Sequence, residues 1–163
     1  MSVPWLLLLM RAESAPPPPL ASEMHARYVA LTAARDAVIA GRLADAKTAI
    51  GPLTERDPTA PFPRAWEGWV VGVESAARTV AAAPDLVTAA NGVANVAAAC
   101  ASCHRATAGG PAITEADDVP PQAWQPGQNM PLHRWAVGWM WLGLLADSDE
   151  AWLRGANELD DHP

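Results

Sequence analysis

The chain has 163 residues, enough for one domain with a substantial core, and half of them are hydrophobic. Phe and Tyr occur once each beside eight Trp, in a background of Ala with little period-two alternation. That composition predicts an all-α fold. A formal charge of −7 and a pI near 4.9 exclude a nucleic-acid surface, which needs Lys and Arg against phosphate, and disfavour an anionic membrane.

The first 21 residues read as a leader and Pro-rich segment. Val3 to Met10 is an apolar run far too short to cross a bilayer, which needs about 20 residues. Small residues follow it (Ala12, Ser14, Ala15), as an export cleavage site requires, but Arg11 comes after the run and no basic residue precedes it. Pro16 to Pro19 then form a polyproline spacer. Residues 22–163 form the helical domain. A first helix capped by Ser22 is expected to run to about Ile50, with Met24, Tyr28, Leu31, Ala34 and Val38 on one stripe and Gly51-Pro52 as its stop. A Pro-rich link at 57–63 leads to a second helix over about 64–83. Pro84-Asp85 breaks the pattern and opens a third, on which Leu86, Ala90, Val93, Ala97, Cys100 and His104 recur at helical spacing. Residues 107–128 carry four Pro and three Gly and read as a long loop. Asn129 can cap a fourth helix with Met130, His133, Val137, Met140 and Leu144 on one face, and Asp147 with Glu150 fits a capping box for a short last helix.

The two cysteines of the chain stand in Cys100-Ala101-Ser102-Cys103-His104. This is the attachment spacing of c-type haem: each thiol adds across one porphyrin vinyl group, and the next residue puts its imidazole under the iron. A structural zinc site wants four ligands, and no second ligand pair lies at finger-like spacing. A thioredoxin-type dithiol belongs beside a βαβ unit, and none is visible. Two cysteines are also too few for a disulfide framework.

With this motif closing an Ala-rich helix (VAAACASCH) in an all-α chain, the sequence resembles the class II c-type cytochromes, the family of cytochrome c′ and the cytochromes c556. The resemblance implies an antiparallel four-helix bundle, here with a short extra C-terminal helix, holding one covalent haem c through Cys100 and Cys103 with His104 as proximal iron ligand. It departs in one respect: family members carry the motif on the last helix, whereas 59 residues follow His104 here. If four helices alternate in direction through short links, the fourth helix enters beside His104 and the first helix begins at the opposite end. On that topology Met130 and His133 are the first core-facing side chains on the far side of the iron. His133 is then the expected sixth ligand, with Met130 or, in family fashion, Met24 as alternatives. His25 and His162 read as surface residues, and the Trp side chains as core and groove fillers with Trp66, Trp69 and Trp124 near the haem edge.

The function expected is periplasmic electron transfer after export, with no transmembrane anchor, and no enzyme activity. The alternatives are a cytochrome c′-like NO or CO binder, and a peroxidase-like site with His133 as acid–base group. The acidic charge matches a redox partner protein with a basic docking surface, and the fold is compatible with a homodimer.

Overall fold

A computed structural model describes residues 19–55, 57, 60–111, 113 and 130–161. The leader, Trp124, Asn129 and His162 lie outside the described residues. The described chain is all-α: α1 (Pro19–Ile39), α2 (Leu43–Ile50), α3 (Glu67–Ala82), α4 (Leu86–Thr107), α5 (Met130–Ala146) and α6 (Asp149–Asp161), with single 3-10 turns at Gly51–Leu53 and Arg64–Trp66. The helices pack foremost in sequential pairs, α1 with α2, α3 with α4 and α5 with α6, and α4 touches α1, α2, α3 and α5.

The long first helix expected over 22–50 is two helices. At Gly41 the backbone turns over with φ of 74°, a left-handed conformation that glycine adopts without Cβ crowding, and α2 folds back along α1. Pro19 and Ser22 lie inside α1, so Ser22 caps nothing. Its apolar stripe is otherwise as expected at Leu31 and Ala34, both buried, while Tyr28 is more than a third exposed.

The α3–α4 hairpin follows the sequence closely. Ala83, Pro84 and Asp85 form the turn, and the Asp85 carboxylate accepts from the Thr88 amide at 2.8 Å as the N-cap of α4. That bond holds the Asp85 carboxyl below its ordinary value. Leu31, Ile50, Val80, Val96 and Trp141 meet in one core. Burying each such aliphatic side chain contributes about 1.5–3 kcal/mol. Trp141 is anchored at its polar end by a 3.2 Å bond from Nε1 to Thr32 Oγ1, with the Arg35 guanidinium 4.9 Å over its ring. Among the described residues only α4 is long and apolar enough to cross a membrane, and its Ala89, Val93, Val96 and Ala97 fill this core.

The last hairpin closes on a turn the sequence does not announce. Ser148 N–H donates to Gly143 O at 2.9 Å around Asp147 at φ of 56°, a Schellman closure with Asp where Gly is usual. Ser148 also caps α6, its Oγ accepting from the Ala151 amide at 3.3 Å. The capping box expected from Asp147 and Glu150 is therefore not formed, because the Asp147 carboxylate is taken by Arg105 of α4.

Candidate functional site

Cys100, Cys103 and His104 occupy the last two turns of α4, before Ala108 ends the helix in the left-handed region at φ of 49°. Ala at most neighbouring positions keeps this segment helical and lets other helices approach closely. Cys100 packs against the core, and burial pushes its thiol up to about 11, opposed by the Arg27 guanidinium of α1. Burial likewise raises the Cys103 thiol, opposed by its bond to Thr107. Both sulfurs are thus free, neutral thiols at pH 7. A redox dithiol needs the opposite, a lowered thiolate value.

His104 Nδ1 lies 2.6 Å from the backbone carbonyl oxygen of Leu145. A carbonyl only accepts, so Nδ1 donates, which in the neutral form of an imidazole leaves the lone pair on Nε2. Leu145 is in the last turn of α5, where carbonyls have no in-helix donor, so this bond satisfies one of the free carbonyls of that helix end. One residue on, Arg105 Nε donates to Asp147 Oδ2 at 2.8 Å, and its Nη2 donates to Oδ1. The chain leaving α4 then passes close over the site. A Cβ on Gly110 would sit 3.4 Å from His104 Cβ and 3.3 Å from the Ala146 carbonyl oxygen, so only glycine clears both without a shift. Gly109 meets the Trp66 ring.

These contacts fix helix directions. The Arg27 guanidinium, 4.8 Å over the Phe62 ring, acts on the Cys100 thiol through its charge, which brings the N-terminal half of α1 toward the motif end. Leu145 and Asp147 bring the C-terminus of α5 there. The expected helix order is corrected on both counts. Met130 and His133 lie fifteen and twelve residues before Leu145 on α5, about 22 and 18 Å along its axis, and so stand away from His104. Met130 is also largely exposed. Met24, half-buried and one turn before Arg27, is at the motif end rather than the far end, and His25 is exposed on the same turn.

Trp66 lies at the motif end as expected. Trp69 is partly exposed, and Trp135 and Trp139 stack under Arg154 against α6, with Arg154 4.2 Å from the Trp139 ring. Sequence reading missed Arg27, Leu145, Arg105 and Asp147. Arg105 adjoins the motif and Arg27 follows Met24 by one turn, which are usable signals. A backbone carbonyl has none.

Zinc is disfavoured by the donors themselves, since no three His, Cys, Asp or Glu side chains converge among the described residues. For haem c the residues fit in kind. Two neutral thiols on consecutive turns can each add to a vinyl group, and the adjacent imidazole is held in the tautomer that leaves Nε2 for iron. No protein-family model, curated protein or solved structure matches the chain.

Proposed function

We propose that this chain is a monohaem c-type cytochrome that transfers electrons in the periplasm. Cys100 and Cys103 would hold haem c through thioethers, and His104 would be the proximal iron ligand; the bound group supplies one-electron chemistry. The observation that carries this reading is the His104 Nδ1–H bond to Leu145, which orients the ring and leaves Nε2 as the donor, directly after two thiols at haem spacing.

The protein's own part is to hold and cover. α4 carries all three attachment residues on one rigid helix end. Trp66, Phe62 and the Gly109-Gly110 segment lie at that end, where they would flank the group. Met24 stands one helical turn before Arg27, whose charge reaches the Cys100 thiol, and this favours it as a ligand from α1. Met24, rather than His133, would then be the residue to hold the iron on the side away from His104, and a thioether would raise the potential relative to a second imidazole. Two side-chain ligands would favour electron exchange over gas binding or peroxidase chemistry. The acidic surface steers toward a basic redox partner.

Expression with an export leader and a haem-attachment system provides the test. Wild-type protein should retain haem through acid–acetone extraction and a denaturing gel, and Cys100→Ala/Cys103→Ala should lose it. Haem that remains bound covalently without either thiol, or a wild type that takes up none, would overturn the reading.

A further inference from the structure

Asp147 sits where a Schellman turn favours glycine, in a left-handed conformation that crowds any Cβ. Asp is tolerated there, but the turn alone gives no reason to prefer it. Its carboxylate supplies one, through the two-point pair with Arg105. Arg105 follows His104 directly, and Asp147 lies two residues after Leu145, whose carbonyl receives the His104 proton. The ends of α4 and α5 are thus joined twice in parallel, once by imidazole to carbonyl and once by guanidinium to carboxylate. The pair is exposed on the Arg105 side, with 70% of that side chain accessible, so it adds little to global stability. Its planar, two-point geometry instead fixes how the two helix ends sit relative to each other.

We infer that Arg105 and Asp147 form a clamp that keeps the Leu145 carbonyl on His104 Nδ1, and so sets how strongly His104 donates to the iron. This rests on the haem reading above for its second half and on the geometry alone for its first. A firm Nδ1–H···O bond makes the imidazole a stronger donor, favours the ferric state and lowers the reduction potential; a loosened bond raises it. Arg105 and Asp147 would act through His104 and are positioning residues.

Removing a charge near a redox centre also moves its potential through space, and Arg105 separates the two effects. Losing a positive charge stabilises the ferric state and lowers the potential, whereas losing the clamp raises it. Holoprotein carrying Arg105→Gln should therefore show a higher midpoint potential than wild type, and Asp147→Gly should too. Asp147→Gly relieves the left-handed strain, so its thermal midpoint should not fall, which removes misfolding as the cause. An Arg105→Gln potential that is unchanged or lower overturns the role at the iron. The clamp itself is read in haem-free protein from the 15N shifts of His104. Wild type should be Nδ1-protonated, with both variants moving toward a mixture of tautomers. A ring that stays Nδ1-protonated in both overturns the clamp. A tautomer shift in both variants, beside a wild type that takes up no covalent haem, would leave the clamp standing and overturn the haem reading instead.

Discussion

The Leu145 side chain lies in the core against which Cys100 packs, and its carbonyl accepts the hydrogen bond from His104 Nδ1. The thiols show the same dependence on surroundings. Cys100 has an ordinary value of 9.0 and is pushed to about 11 by burial, with Arg27 only partly offsetting the cost of a charge there. The folded value is the higher, so folding is unaffected by this group below pH 9. Stability is then lost as pH rises from about 9 to about 11, where the unfolded chain ionises first. In haem-free protein, alkylation of Cys100 by iodoacetamide at pH 8 should be roughly a hundredfold slower than in urea-unfolded chain, a tenfold loss of thiolate for each pH step. Equal rates in the two states would show that the end of α4 is open rather than packed.

At the level of elements, most boundaries were legible because their signals are local. Pro84-Asp85 ends one helix and caps the next, and the 3.6-residue recurrence of Val93, Ala97, Cys100 and His104 marks α4 as a core helix. Gly41 was the exception. It sits among good helix formers, so the pattern on either side reads through it, and only its φ of 74° separates α1 from α2. A Cβ at Gly41 would meet nothing within 4 Å, so Gly41→Ala isolates the backbone effect. It should destabilise by about 1–2 kcal/mol in urea unfolding, the cost of a left-handed L-residue. No loss would mean the turn relaxes or that α1 runs on. Asp147 was misassigned for a related reason. Its fit to a capping box is a local pattern, and Arg105, 42 residues away, outcompeted it.

Across the whole molecule, helix direction decides which side chains face the motif. A reversal at Gly41 flips α1 against the single-helix expectation. Leu145 at the C-terminal end of α5 meets His104 at the C-terminal end of α4, so α5 runs opposite to the expected direction as well. Each reversal exchanges one candidate for another, so Met24 arrives at the motif and His133 leaves it. In the holoprotein, Met24→Ala should convert a low-spin spectrum to high spin and open the iron to CO, whereas His133→Ala and Met130→Ala should leave it unchanged. A spectrum altered by His133→Ala and indifferent to Met24→Ala would restore the alternating helix order and displace the α1 pairing.

The sequence by itself determined that the chain is all-α, where α3 and α4 begin and end, and that two thiols and an imidazole share the closing turns of one helix. Those properties follow from propensity, periodicity and short-range capping, which act over a few residues. Only the tertiary structure decided what surrounds them: the charge of Arg27 within reach of Cys100, the Leu145 carbonyl on His104, and Asp147 paired with Arg105. Each of those contacts joins residues dozens of positions apart. Which partners meet depends on how many times the chain reverses, and a single left-handed residue is enough to change that number.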